Sequence, residues 1–132
     1  MMTDWDALLA EAKRMTKFSY VPYSEYPVGA AAFVDDGRMI SGCNVENASL
    51  GMTLCAECGL ISELWKSGGG KLVAFLCVNK LGELIMPCGR CRQLLHEHAG
   101  EGLVVRTPEG DLPWEQVLPQ GFGPNDLERV RS

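Results

Sequence analysis

The residues best suited to chemistry in this sequence are two cysteine pairs, each with the spacing C-x-x-C. Cys55 and Cys58 lie in "TLCAECG", and Cys88 and Cys91 lie in "PCGRCRQ". Four thiolates at this spacing are typical of a closed, structural zinc site. Glu57, however, lies inside the first pair, and a carboxylate beside an open metal position can carry protons to and from a reacting group. The pattern therefore allows a structural or a catalytic zinc.

The composition indicates one domain that does not need a metal to fold. The chain has 132 residues, of which 46% are hydrophobic, so it can bury a core of its own. It contains no internal repeat and no low-complexity run. We therefore expect a single domain over residues 1–132, with a C-terminal tail from about residue 119, where "LPQGFGPND" concentrates proline and glycine.

Charge and hydropathy disfavour two classes of partner. The formal net charge is −5, whereas proteins that bind nucleic acid usually present a basic face, so we expect no nucleic acid partner. The N-terminal segment is acidic before it is apolar, unlike a signal peptide, and no stretch reaches the roughly eighteen apolar residues of a membrane span. We therefore predict a cytoplasmic protein, whose six cysteines stay reduced and serve as metal ligands or core residues.

The elements that must position the cysteines alternate between helix and strand. Apolar residues over 5–18 recur at helical spacing, with Thr3 or Asp4 as the N-cap. Two apolar runs around "DDGR" predict a β-hairpin. Each cysteine pair begins a predicted helix, the first capped by Thr53 or a neighbour and the second running to Gly100. The apolar run "KLVAFLCVN" between them predicts a buried strand, and short strands with a last helical turn follow.

This order of elements predicts an α/β protein with helices on both faces of one sheet. Helical crossovers between strands favour parallel neighbours, apart from the opening hairpin. The glycine and alanines at positions 29–32 predict a strand that packs tightly on both faces. The two helices that begin at cysteines would then lie close enough to present both pairs to one point.

The start of a helix is a favourable place for a thiolate. The first N–H groups have no partner within the helix, and the helix dipole favours negative charge there. Cys55 and Glu57 can both point beyond the helix end, whereas Cys58 is one step deeper and should face sideways. We therefore predict Cys55, Cys88 and Cys91 as the metal ligands, with Cys58 as a neighbour.

C-x-E followed by P-C-x-x-C is the signature of zinc-dependent nucleobase deaminases in its three-cysteine form. The segments "YVPYSEYPVGAA", "GCNVENASLGMTLCAE", "MPCGRCRQ" and "VLPQGFG" further resemble the small, homotetrameric cytidine deaminases of nucleoside salvage. The similarity runs in the same order from about Tyr20 to Phe122.

The resemblance implies a three-layer α/β/α sandwich around a central mixed sheet of five strands. It also implies one zinc per subunit, held by Cys55, Cys88 and Cys91, and a proton shuttle, Glu57. In that family, a zinc-activated water attacks C4 of cytidine or 2′-deoxycytidine, and ammonia leaves to give uridine or 2′-deoxyuridine, in pyrimidine salvage. Glu57 would deprotonate the water, protonate ring N3 and then protonate the leaving amine.

The resemblance implies a set of substrate-binding residues as well. They are Asn44, Glu46, Tyr26, Ala56, Met86 and Phe122. The first two would hydrogen-bond the sugar hydroxyls, and the tyrosine would form an aromatic wall where relatives have phenylalanine. Backbone groups of Ala56 and Met86 would read the edge of the base. Phe122 matches a residue that reaches the site of a neighbouring subunit, so a complete pocket would require the homotetramer.

Two departures from the family pattern bear on this prediction. Cys58 stands where many relatives have an arginine that offsets the charge of the thiolates, and Leu50 replaces an aromatic residue. Three other readings therefore stay open: deamination of a nucleoside antibiotic of the blasticidin type, deamination of polynucleotides, which the acidic chain disfavours, and a non-catalytic zinc module with Cys58 as fourth ligand.

Overall fold

The computed structural model describes residues 2–131. Its helices are α1 (Trp5–Met15), α2 (Ala56–Lys66), α3 (Gly89–His96), α4 (Trp114–Val117) and α5 (Pro124–Glu128), with 3₁₀ turns at Thr16–Phe18 and Leu50–Met52. Its strands are β1 (Gly29–Val34), β2 (Met39–Cys43), β3 (Leu72–Val78), β4 (Leu84–Ile85), β5 (Ala99–Thr107) and β6 (Gly110–Pro113). No helix in this part of the chain combines the length and the apolar character needed to span a membrane.

Helix α1 begins as its sequence predicts. The Asp4 carboxylate accepts a hydrogen bond of 3.0 Å from the Ala7 N–H, which satisfies one of the free donors at the helix start. Lys13 and Arg14 lie in the last turn, where the helix dipole favours positive charge. Leu8 and Ala12 are buried against the sheet.

The strands form one mixed sheet in the order β2-β1-β3-β5-β6. The predicted hairpin is confirmed, since β1 and β2 pair antiparallel on either side of the turn. The prediction that helical crossovers join parallel neighbours is confirmed for β3 and β5, which are connected through α3. It is wrong for β2 and β3, which are connected through α2. The reason is that β1 lies between β2 and β3: the crossover through α2 leaves those two strands parallel but not adjacent.

The path from β2 to β6 has the five strands expected, and β4 adds a sixth that the prediction omitted. Leu84 and Ile85 of β4 pair antiparallel with Val78 and Cys77 of β3. The register places β5 opposite β3 only as far as Phe75, so β4 takes the edge that β5 has left. A strand of two residues is too short for any hydrophobic alternation to reveal it.

Two buried clusters on opposite faces of the sheet confirm the three-layer α/β/α arrangement. On one face, α1 packs against the side chains of Ala31, Leu76 and Val78. On the other face, α2, α3 and α4 cover a larger cluster. Its members include Ala30, Ala32, Leu60, Leu64, Phe75, Leu95 and Trp114. Neighbouring residues of β1 and β3 thus serve opposite layers, as the alternation of a strand requires.

Two glycines let the helices approach the sheet closely. A Cβ on Gly29 would lie 1.9 Å from the backbone oxygen of Ala12 in α1. A Cβ on Gly42 would lie 2.3 Å from the backbone oxygen of Ala56 and 2.6 Å from the nitrogen of Leu60, both in α2. The predicted tight packing around β1 is confirmed, because Ala30, Ala31 and Ala32 are fully buried. The glycine contact with Ala56 fixes the start of α2, where the first cysteine pair lies.

Candidate active site

The two cysteine pairs lie at the starts of α2 and α3. Cys55 is the N-cap of α2 and Cys88 is the N-cap of α3. The prediction that Thr53 or a neighbour caps α2 is thus met by a neighbour, Cys55. The prediction that α3 runs to Gly100 is wrong: the helix ends at His96, and Gly100 already belongs to β5.

The sulfur atoms of Cys55, Cys88 and Cys91 all lie within 4.8 Å of one another. Within residues 2–131 no other group of histidine, cysteine and carboxylate ligands is gathered in this way, and Cys58 is not part of this one. The N–H groups of Cys91 and Arg90 lower the pKa of the Cys88 thiol, which is the expected effect of a helix start on a thiolate. Three of the four motif cysteines therefore converge on one point.

The reason given for leaving Cys58 aside does not hold, although the outcome does. Cys58 is the third residue of α2, and Cys91 is the third residue of α3. Both are equally deep in their helices, yet only Cys91 joins the cluster. Depth therefore does not decide which cysteine converges. The orientation of each helix relative to the cluster does, and spacing in sequence does not encode it.

Glu57 is buried beside the sulfur cluster, with 3% of its surface exposed. Burial raises the pKa of its carboxyl group, and the neighbouring Cys91 thiol offsets part of this effect. Burial and the charge of Glu57 in turn raise the pKa of Cys91. A carboxyl group in such an environment takes up and releases a proton more readily near neutral pH than an exposed one.

A cavity of about 200 Å³ opens over the cluster. Its lining consists of Val28, Asn44, Thr53, Cys55, Ala56, Glu57, Cys77, Ile85, Met86, Pro87 and Cys88. Six of these are among the residues predicted from the sequence: two cysteines of the cluster, the buried carboxylate, one sugar-binding residue and the two residues expected to read the base. The fold thus brings most of the predicted site to one place.

The two residues predicted to bind the sugar lie on one extended segment and point to the same side. The Asn44 amide oxygen accepts from the Val28 N–H at 2.9 Å, and its nitrogen donates to the Tyr26 carbonyl at 3.0 Å. Glu46 accepts from the N–H groups of Tyr23 and Ser24 and from the Ser24 hydroxyl. The Ser24 hydroxyl holds the pKa of Glu46 below its usual range. Asn44 and Glu46 therefore secure the loop over residues 23–28.

Four of the predicted residues are not among those that line the cavity. Cys91 belongs to the sulfur cluster and Glu46 contacts the loop over residues 23–28, whereas Tyr26 and Phe122 are exposed. Tyr26 is 49% exposed, and its hydroxyl lies 3.4 Å from the Asn79 amide nitrogen. Phe122 is 58% exposed and lies on the C-terminal segment, where the Gln93 amide donates to its carbonyl at 2.8 Å. Neither side chain is among those around the cavity.

The predicted site omitted two polar residues of the cavity wall: Thr53 is one, and the other is Cys77. Its position in a strand predicted a small buried residue, and it is buried, but its thiol also donates to the Ile85 carbonyl at 3.2 Å and faces the cavity. Val28 and Thr53 also line the cavity. Only the strand alternation of Cys77 could have placed it on the same face as α2 and α3.

Known proteins with similar sequences and folds agree with this site. Residues 2–107 match the family model described as "Cytidine and deoxycytidylate deaminase zinc-binding region". The chain is 50% identical over 128 residues to a cytidine deaminase of Mycobacterium tuberculosis, covering 97% of this chain and 96% of that protein.

Solved structures extend the agreement to the fold. The crystal structure of cytidine deaminase from Mycobacterium leprae superposes with a TM-score of 0.87 at 55% identity, covering 90% of this chain and 100% of the other. That of the Mycobacterium tuberculosis cytidine deaminase gives 0.88 at 49% identity, covering 92% and 99%. With the sulfur cluster, the buried carboxylate and the cavity in place, these matches show that the chain belongs to the cytidine and deoxycytidylate deaminase family.

Proposed function

We propose that this protein is a zinc-dependent cytidine deaminase. It would convert cytidine and 2′-deoxycytidine to uridine and 2′-deoxyuridine with release of ammonia, as a step of pyrimidine salvage in the cytoplasm. The observation that carries the proposal is the buried carboxylate of Glu57, which lies beside three converging thiols at the wall of a small cavity. The named relatives, which are cytidine deaminases, support the same substrate.

The sulfur cluster fits one zinc ion per subunit. With Zn–S bonds of about 2.3 Å, three ligands of a tetrahedral site lie about 3.8 Å apart, which agrees with sulfur atoms that are all within 4.8 Å of one another. Cys55, Cys88 and Cys91 would hold the ion and leave its fourth position open toward the cavity. Zinc bound there would polarise a water molecule and lower its pKa to about 7.

The chain's own residues would then move the protons. Glu57 would accept a proton from the attacking water and deliver it to ring N3. It would then take the proton of the new C4 hydroxyl and deliver it to the departing amine, as that oxygen becomes the carbonyl of the product. Its burial favours this exchange, because desolvation brings the proton affinity of a carboxylate closer to that of the groups it serves. The mostly apolar wall of the cavity keeps bulk water away from the reacting centre.

The cavity favours a small, flat substrate. Its volume of about 200 Å³ lies below the roughly 300–1,000 Å³ of pockets for drug-sized ligands. Ala56 and Met86 line it at positions from which their backbone groups would read the edge of a pyrimidine. Asn44 at the same wall, and Glu46 beyond it, would bind the sugar.

We also propose that the working enzyme is a homotetramer built from a single domain over residues 1–132, with a tail from about residue 119. Tyr26 and Phe122 are half-exposed and lie outside the cavity of their own chain. In an assembly, Phe122 would complete the pocket of a neighbouring subunit, and Tyr26 would form a wall against the base.

Turnover of a panel of substrates tests the proposed function. Purified protein is incubated with cytidine, 2′-deoxycytidine, cytosine and blasticidin S, and loss of the 4-amino absorbance is followed while zinc per subunit is measured. We expect turnover of both cytidines and one zinc per chain. Absence of turnover on both cytidines would refute the proposal. Turnover of blasticidin S alone would favour a nucleoside antibiotic as the substrate. Sedimentation of the same sample tests the tetramer.

A further inference from the structure

The Ser24 hydroxyl connects two of the residues assigned to the substrate. It donates to one carboxylate oxygen of Glu46 and accepts from the Tyr26 N–H at 3.1 Å. The N–H groups of Tyr23 and Ser24 donate to the other Glu46 oxygen at 3.0 and 3.1 Å. Glu25 has a left-handed backbone, with φ of 56°, and its N–H closes a turn on Val21. The turn therefore presents three donors to one carboxylate.

These contacts limit what else Glu46 can accept. A carboxylate offers about four lone-pair sites, two on each oxygen. Both sites of one oxygen face the two N–H groups, and the Ser24 hydroxyl takes one site of the other. One acceptor site is left. A carboxylate free of the loop could accept from both vicinal hydroxyls of a ribose, whereas this one can accept from a single hydroxyl.

Asn44 is constrained by the same loop. Its amide oxygen accepts from Val28, and its amide nitrogen donates to the Tyr26 carbonyl. One lone pair and one N–H remain for a ligand. The loop thus orients the side chains of Glu46 and Asn44 and leaves each with only a few free hydrogen-bonding positions for a ligand.

We infer that Ser24 is a positioning residue for sugar recognition, which restricts Glu46 to one hydroxyl of the nucleoside and couples that contact to Tyr26. The inference rests on the proposed function, because it concerns how the same site holds its substrate. Ser24 acts through Glu46 and does not touch the reacting atoms. Its removal should therefore change the response to the sugar hydroxyls and leave the chemical step in place.

The experiment compares kcat and KM for cytidine, 2′-deoxycytidine and 3′-deoxycytidine. In the unmodified enzyme, loss of the hydroxyl bound by Glu46 should lower kcat/KM by about 10- to 100-fold, as expected for an unpaired acceptor. In Ser24→Ala, KM for cytidine should rise about tenfold with kcat nearly unchanged. The penalty for losing that one hydroxyl should fall to about threefold, whereas the penalty for losing the other hydroxyl should rise, because the acceptor site that Ser24 occupied becomes free.

Three further variants separate positioning from a general effect on folding. Ser24→Thr keeps the hydroxyl group, so the fall in kcat/KM on loss of the sugar hydroxyl bound by Glu46 should return to its size in the unmodified enzyme. Ser19→Ala removes a nearby hydroxyl that contacts the Val28 carbonyl at 3.4 Å and does not touch Glu46, so its kinetics should match the unmodified enzyme. In Glu46→Ala, the added change Ser24→Ala should have no further effect, because the two residues act through one contact.

The outcomes distinguish this inference from the function on which it rests. If the unmodified enzyme neither turns over nor binds any of the three nucleosides, the proposed function fails and the inference fails with it. If the enzyme is active but Ser24→Ala lowers kcat/KM equally for all three nucleosides, only the role of Ser24 is refuted. The same holds if Ser24→Ala lowers kcat/KM as much in the Glu46→Ala enzyme as in the unmodified enzyme. Loss of one hydroxyl-specific penalty in Ser24→Ala, restored in Ser24→Thr, supports it.

Discussion

The starts of α2 and α3 are alike in sequence and unlike in use. Each helix has cysteine at the N-cap and at its third residue. In α3 both cysteines, Cys88 and Cys91, join the sulfur cluster, whereas in α2 only Cys55 does. At the second helical position, α2 carries the buried Glu57 and α3 carries the exposed Arg90. One helix start contributes two sulfur atoms to the cluster, and the other contributes one sulfur atom together with a buried carboxylate, the proposed proton carrier.

This difference separates two kinds of information. The C-x-x-C spacing and the favourable environment of a helix start explain why thiolates gather here. Which side chains converge depends on how each helix lies on the sheet. For α2 that is set by the close approach of Gly42 to Ala56 and Leu60, which no local pattern in the α2 sequence reports.

Removal of the third-position cysteine from each helix gives the largest expected contrast. Cys91→Ala removes one of three thiolates, so zinc content should fall to near zero and turnover of cytidine should become undetectable. Cys58→Ala should keep one zinc per chain and activity within about threefold, because Cys58 lies outside the cluster. Metal analysis and kinetics on both variants measure this. Loss of zinc from Cys58→Ala would show that the three-sulfur assignment is wrong.

The second helical position provides the next contrast. Glu57→Gln keeps the shape of the side chain but cannot carry protons, so kcat should fall by about 10²- to 10⁴-fold while zinc stays bound. The matched change Arg90→Gln on α3 removes an exposed side chain and should leave kcat within about twofold. Steady-state kinetics with zinc analysis checks both. A Glu57→Gln enzyme with ordinary turnover would remove the carboxylate from the chemistry.

The packing that orients α2 can be tested through two glycines. In Gly42→Ala, the new Cβ meets rigid backbone atoms of α2, so we expect a loss of about 1–3 kcal/mol in unfolding free energy and weaker zinc retention. Gly89→Ala at the start of α3 meets open space and should be neutral or stabilising by up to about 1 kcal/mol. Denaturant unfolding measures both. Equal stability of the two variants would contradict the close docking of α2.

The smallest expected effect is on stability and concerns Glu11 of α1, which lies on the opposite face of the sheet from α2 and α3. Arg14 and Ser41 both donate to Glu11. The Arg14 contact, together with that from Ser41, holds the pKa of Glu11 below its ordinary value of 4.5. Its contribution to stability is therefore present above pH 4.5 and lost as the pH falls below that value.

Glu11→Gln should accordingly cost about 0.5 kcal/mol or less at pH 7, because the Arg14 side chain is 56% exposed and solvent screens the pair. The difference from the unmodified protein should shrink as the pH falls through the lowered pKa of Glu11. Unfolding curves at several pH values measure it, and the zinc contents of the two proteins are compared at pH 7, because acid protonates thiolate ligands and releases the metal. A difference that grows as the pH falls would have the wrong sign for this pair.

The sequence predicted most of the grouping of the candidate site residues and less of the strand pairing in the sheet. The predicted helix starts agree with the positions of Cys55 and Cys88 as N-caps, because capping positions follow from local spacing. Cys58 lies outside the sulfur cluster, but Cys91 contradicts the reason given for its separation, since orientation is a tertiary property. The sequence did not predict β4, because its two residues form a strand only through pairing with Cys77 and Val78.

The small residues of β1 have a consequence for how the specificity of this protein can change. Ala30, Ala31 and Ala32 are fully buried between α1 and α2, so β1, an inner strand of the sheet, has no room for larger side chains. A change of preferred nucleoside is therefore expected to arise in the surrounding loops, such as the segments over residues 21–28 and 118–123, which can vary without moving a helix. Engineering for new substrates should begin in those loops and leave β1 unchanged.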